Sequence, residues 1–394
     1  MPVYLDHAAT TPLRAEAREA WVAAHEVLGN PSSIHGAGQA ARRLLEDSRE
    51  RLAEVLGCQP IEVVLTSGGT EATNLALKGL WWARDESADT VVLPDGEHHA
   101  TLDTVAWLTS EAGARVRSVG LDGLGRIPVE MFAAALPGAA LATALVANNE
   151  VGTVQDAAGL ARVAADAAVP LHLDAVSALG HIEVDFARWR GPGTGAGGLV
   201  ALSVSAHKVG GPVGVGAAVI SRHARLTPLL HGGGQQRGLR AGTQDAAGAA
   251  AFAAAAGAAE AERERESVRL EGLRRRLVHG ILSAIPEARL LGDPNDRLPG
   301  NVHVLFPGAA GETLLFLLDM AGIAVSTGSA CQAGVAEPSH VVLALGLDDR
   351  AARSVLRLTL GHTSTDADVD AVLAALPSAY ERALASGARS AGGS

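Results

Sequence analysis

Leu199-Val200-Ala201-Leu202-Ser203-Val204 is an apolar, strand-like run, and it ends in Ser205-Ala206-His207-Lys208 before Val209-Gly210-Gly211-Pro212. A short run of this kind, bounded by turn residues, reads as a buried strand with polar groups at its carboxyl end. The form recurs upstream in Val63-Val64-Leu65, Val91-Val92-Leu93, Leu141 to Ala147 and Leu171-His172-Leu173. Helical patterns such as Glu71 to Leu80 and Leu160 to Ala168 lie between these runs. Strands alternating with helices predict an α/β fold with a mostly parallel sheet covered on both faces. From about Ala246 a long helix begins, and its charge run from Glu260 to Glu266 reads as a solvated face. Beyond Pro286, strand-like Val302 to Phe306 and Val355 to Leu360 predict a second, smaller α+β domain. The expected division is an N-terminal segment (1–15), a large domain (16–250), a small C-terminal domain (251–384) and a disordered tail (385–394).

Composition narrows the function. The 394 residues carry a net charge of −11, which argues against a nucleic-acid-binding surface. The alanine-rich stretch from Ala246 to Ala261 is too weakly hydrophobic to be a membrane span. Met1 to Asp6 lacks the basic and apolar regions of a secretory signal. Two cysteines, Cys58 and Cys331, give no disulfide framework, so a reduced, cytoplasmic protein is expected.

Only two of the 32 basic residues are lysine, Lys78 and Lys208. Arginine stays protonated, whereas lysine can lose its proton and attack a carbonyl carbon to form a Schiff base. Lys208 stands at the mouth of a buried strand with no carboxylate beside it in sequence, a setting that lowers an amine pKa. Lys78 precedes Gly79 at the end of a helical pattern and reads as a C-terminal cap.

Ligands of open α/β sheets bind at the carboxyl ends of the strands. There the sequence places Thr66-Ser67-Gly68-Gly69-Thr70-Glu71, which opens a helix and suits a single phosphate group. It also places Glu97-His98-His99, Asn148-Asn149-Glu150 and Asp174. A histidine can stack on a planar ring or move protons. The histidine pair has no third ligand at a recognisable spacing, so no metal is expected. A buried acid needs a partner, and a protonated pyridine nitrogen is one. Gly193, Gly195 and Gly198 match a dinucleotide fingerprint in spacing, but no strand precedes them and no helix follows. A Schiff-base lysine, an acid for a pyridinium, a phosphate loop and a histidine over the ring together describe pyridoxal phosphate.

Several motifs point further. Tyr4-Leu5-Asp6-His7-Ala8-Ala9-Thr10-Thr11-Pro12, Gly29-Asn30-Pro31-Ser32-Ser33, Thr66 to Glu71, Asn148 to Gly152, His231 to Gly234, Arg240-Ala241-Gly242-Thr243 and Ser326-Thr327-Gly328-Ser329-Ala330-Cys331 span nearly the whole chain. In these the sequence resembles the cysteine desulfurases of the class V aminotransferase family, the IscS/NifS-like group. The resemblance implies a fold-type I architecture with a seven-stranded-type sheet in the large domain. It implies that Lys208 binds the cofactor covalently, that Asp174 pairs with the ring nitrogen and that His98 stacks on the ring. Gly69, Thr70, Ser205 and His207 would hold the phosphate, joined by Thr243 from the other subunit of a homodimer. Asn149 would lie by the ring hydroxyl, and Asn30 and Arg357 would bind the substrate carboxylate.

Cys331 would receive the sulfur of L-cysteine as a persulfide and pass it to an acceptor protein, such as an iron–sulfur scaffold or a thiolation enzyme. The family usually has glutamine where this chain has Ser177, a cofactor-contacting position; Ala206 and Gln332 also depart from its pattern. Two rivals stand beside this reading: a related lyase, such as a selenocysteine lyase, and an inactive relative serving as a scaffold.

Overall fold

The computed structural model describes residues 3–328 and 337–391, with side chains to residue 386. Twelve strands are formed among them: β1 (Val3–Tyr4), β2 (Val63–Thr66), β3 (Thr90–Pro94), β4 (Arg115–Val119), β5 (Leu141–Leu145), β6 (Pro170–Asp174), β7 (Gly198–Ser205), β8 (Gly216–Ile220), β9 (Arg289–Leu290), β10 (Asn301–Leu305), β11 (Ile323–Ala324) and β12 (Val355–Thr359). Seven make the large sheet, in the order β2-β8-β7-β6-β5-β3-β4. Only β8 runs against its neighbours; the other adjacent pairs in that sheet are parallel. Helices cover both faces, as the apolar, fully buried strands β5 and β7 require. The main core gathers Leu171, Leu173, Leu199, Leu202 and Phe252.

The small sheet, β12-β10-β9, is antiparallel. Its core includes Val302, Val304, Phe306, Leu356 and Leu358. The N-terminal strand joins this half of the molecule. Val3 and Tyr4 pair with Ile323 and Ala324, and Leu5 is buried in the small core. The next residues cross to the large sheet's carboxyl edge, where Thr11 N donates to His207 O.

Three expectations change. The boundary at 250/251 falls inside one continuous helix, Ala246–Ala284. Its alanine-rich first half is buried in the large core from Ala249 to Ala259, and Leu270 to Ile281 are buried in the small one. Alanine lets a helix sit close to a sheet, and leucine spacing resumes where the second core begins. The tail expected from residue 385 is helical as far as Ala391, because the helix that starts at Asp366 continues through it. Lys78 caps no helix end. Its helix runs on to Trp82, and the ammonium sits 4.2 Å from the centre of the Trp107 ring.

Candidate active site

The carboxyl ends of β2, β3, β5, β6 and β7 converge on a cavity of about 380 Å³. It is lined by Gly69, Thr70, His98, Asn149, Asp174, Ser177, Ser205, His207, Lys208 and Arg357. Residues from six separate stretches of chain thus meet, as the strand-end reading requires.

The helix Gly69–Trp82 opens at the cavity wall. Its N-cap is Gly68, with φ of +151°, a conformation that strongly favours glycine. No side chain caps this end, so the N–H groups and positive dipole of the first turn face the cavity beside Thr70, Ser205 and His207. An added Cβ at Gly69 would stand 2.6 Å from Val176 Cγ2, so the loop also packs closely against the segment after β6.

Asp174 ends β6, is buried, and accepts from Val176 N at 2.9 Å. Burial pushes its carboxyl up to about 6 against the opposing pull of that N–H, Lys208 and Ser203. Lys208 lies across the cavity. Desolvation, with Arg357 nearby, pulls its amine down to about 8, although Asp6 and Asp174 oppose the shift. The amine donates to Ala9 O at 3.0 Å and to Ala8 O.

His98 is the N-cap of the helix His99–Ala112, and its Nδ1 accepts from Ala100 N at 3.0 Å. This bond leaves the proton on Nε2, and desolvation with Lys208 close by holds the ring neutral, its pKa lowered to about 4. Asn148 and Asn149 divide the work of the amide pair. Asn148 shapes the turn through Glu150 N, Val151 N and Gly96 O, while Asn149 lines the cavity.

Arg357, on β12, donates to Asp6 Oδ1 at 2.9 Å and to Asn149 O at 3.1 Å; its buried Nε has no partner among the described residues. Asp6 is a site residue that strand-end reasoning misses, although it lies in the quoted N-terminal motif. Two further residues go unrecognised. Ser339 Oγ donates to Glu150 Oε2 at 2.5 Å, and His340 Nε2 donates to Glu97 O at 2.9 Å. Together they dock the start of the helix His340–Ala344 onto the large domain.

Two expected site residues stand elsewhere within one chain. Asn30 occupies an exposed turn, its Oδ1 accepting from Ser32 N, and takes no part in the cavity. Thr243 is exposed and borders a separate pocket beside Thr66 and Ser67. Cys331 and Gln332 lie outside the described residues. Cys58 has its thiol pushed up to about 12 by burial, with Glu62 and Asp185 adding to the shift, which makes it inert. Among the described residues no cluster of histidine, cysteine and carboxylate residues could hold a metal.

A lysine of lowered pKa, a buried acid and an uncapped helix end that line one cavity on an open α/β sheet define a pyridoxal phosphate enzyme. Comparison with known proteins narrows the class. The profile described as "Aminotransferase class-V" matches residues 3–372. An IscS-like cysteine desulfurase of Mycobacterium tuberculosis is 47% identical, with 99% of each chain covered. A cysteine desulfurase of Cereibacter sphaeroides is 42% identical over 95% of each chain. Among solved structures, a NifS-like protein superposes with a TM-score of 0.89 at 33% identity, covering 97% of this chain and all of the other. The chain belongs to the class V aminotransferase family.

Proposed function

We propose that the protein is a cysteine desulfurase that releases L-alanine from L-cysteine and holds the sulfur on Cys331. The observation that carries the reading is the cavity itself, where Lys208, Asp174 and the N-terminus of the helix Gly69–Trp82 meet. Pyridoxal phosphate supplies an electron sink for the substrate Cα when bound. Thr70, Ser205, His207 and the Gly69 backbone hold its phosphate, Asp174 takes the ring nitrogen, and His98 covers the ring with a neutral imidazole. Lys208, its amine near neutral, moves the proton at the substrate Cα. Arg357 binds the substrate carboxylate, and its pairing with Asp6 fixes the guanidinium in the cavity wall.

Cys331 then attacks the substrate sulfur as a thiolate. A sulfur–sulfur bond forms, the substrate carbon–sulfur bond breaks, and the carbon fragment leaves as alanine after protonation. The chain path supports this role. Ser326 and Gly328, which precede Cys331 in the chain, and His340, which follows it, all line the cavity.

A homodimer fits the positions of Asn30 and Thr243. Leu28 and Ile34 beside the first, and Val213 and Leu230 near the second, are exposed apolar side chains suited to a partner copy. Thr243 would thereby reach the second copy's phosphate site. The acceptor is a protein such as an iron–sulfur scaffold or a thiolation enzyme. No helix among the described residues is long and apolar enough to cross a membrane.

The experiment is a product assay on the parent and Cys331→Ser. Equimolar alanine and enzyme-bound persulfide from the parent, with neither from the variant, are expected. Sulfide release by Cys331→Ser at the parent rate would instead make the protein a lyase of the selenocysteine lyase kind.

A further inference from the structure

Behind Asp174 lies a buried polar chain that the reaction as described does not use. His172 stands two residues earlier on β6, on the same face of the sheet, and is fully buried. Its Nδ1 is 2.9 Å from Thr143 Oγ1 on β5, and its Nε2 is 3.1 Å from Ser203 Oγ on β7. Ser203 Oγ is also 3.1 Å from Thr73 Oγ1, one helical turn past the phosphate-site Thr70. Thr73, Thr143 and Ser203 are fully buried too. Ser203 is the direct cross-strand partner of Asp174, and its hydroxyl favours the ionised carboxyl.

Proton counting restricts this chain. Burial pulls the imidazole down to about 3, so it is neutral and has a single N–H. If Nδ1 carried that proton, Nε2 would accept the Ser203 proton and nothing would remain for Asp174. If Nε2 carries it, Thr143 donates to Nδ1, His172 donates to Ser203, Thr73 also donates to Ser203, and the Ser203 proton is left for Asp174. An ionised Asp174 can only accept, so it selects the second arrangement, in which every polar atom of the chain is satisfied.

We propose that His172 is a positioning residue, which turns the Ser203 hydroxyl proton onto Asp174 and so keeps that acid ionised against the cofactor's ring nitrogen. The proposal rests on the pyridoxal phosphate reading of the cavity. Without this donor the carboxylate becomes the stronger base of the pair, and the shared proton moves from the ring nitrogen to Asp174. A hydrogen bond to a charged group is strong enough to shift that balance by about tenfold or more.

The test uses holoenzyme loaded with cofactor ¹⁵N-labelled at the pyridine nitrogen, read by NMR at neutral pH for the parent, His172→Leu, His172→Gln and Ser203→Ala. The expected result is retained cofactor in all four. The ratio of protonated to unprotonated ring nitrogen falls about tenfold or more in His172→Leu and Ser203→Ala. In His172→Gln, which keeps a donor toward Ser203, it stays near the parent value. If His172→Leu does not fold, Ser203→Ala, the loss of one buried oxygen, decides alone. An unchanged ring nitrogen, or wholesale loss of cofactor from Ser203→Ala, overturns the proposal. A parent that takes up no cofactor overturns the reading of the cavity instead.

Discussion

The Lys208 amine donates to the carbonyl oxygen of Ala9 at 3.0 Å, so the N-terminal segment supplies the wall against which the reactive amine rests. Ala8, whose carbonyl also accepts from Lys208, is itself tied to β12, where its N–H donates to Thr359 Oγ1 at 2.9 Å. The two domains therefore meet at the amine. Lys208→Arg keeps the charge and most of these contacts but cannot form a Schiff base. Absorbance of bound cofactor should lose its Lys208-linked band, and turnover should fall on the order of 10²–10⁴-fold. A variant with parent spectrum and rate would exclude Lys208 from the chemistry.

The lowered pKa of Lys208 has a kinetic signature. Below about pH 8 the apoprotein amine is protonated and cannot attack the cofactor carbonyl; above it the free base predominates. The rate at which apoprotein captures pyridoxal phosphate should rise with pH through a midpoint near 8. Stopped-flow absorbance measures it, and a midpoint near the ordinary lysine value would contradict the burial argument.

Arg357 offers a split between binding and chemistry. A lysine at this position keeps a charge but loses the fork that spans Asp6 and Asn149. Arg357→Lys should lower kcat/KM for L-cysteine about 10- to 100-fold, mainly through KM. Steady-state kinetics on cysteine decide it; a change confined to kcat would remove Arg357 from carboxylate binding.

Ser177 borders a small cavity of about 30 Å³ that also touches Asn149, His181, Lys208 and Asn301. Space for about one water stands beside the short serine. Ser177→Gln should fill the space and tighten cofactor retention about 3- to 10-fold, the worth of one neutral hydrogen bond. Equilibrium dialysis of the cofactor reads the change, and looser binding would show that the space is needed.

Local pattern was enough to find most of the large sheet. The apolar runs at β2, β3, β5, β6 and β7 are buried on both faces and have no polar alternation to obscure them. β4 has no such signal, because Arg115 to Ser118 is exposed at the sheet's edge and reads as loop. β8 is Gly-Ala-Ala-Val-Ile, and its glycine and alanines carry little strand preference. Lys208, Asp174 and Thr70 were visible because each ends a strand or lies within four residues of a strand's end. The contacts that bring Asp6 and the docking pair Ser339 and His340 to the site are with residues more than a hundred positions away in sequence, which periodicity cannot express. The helix runs on past the expected 250/251 boundary for a related reason: a change of composition within a helix marks a change of neighbour and leaves the chain unbroken.

That helix, Ala246–Ala284, runs through both hydrophobic cores. Neither core can melt without fraying the rod on which the other is built, so calorimetry of the apoprotein should give one transition where a hinged pair would give two. The protein has no seam: it can flex as a beam flexes, but evolution or an engineer wishing to exchange one half for another would have to cut through a continuous helix.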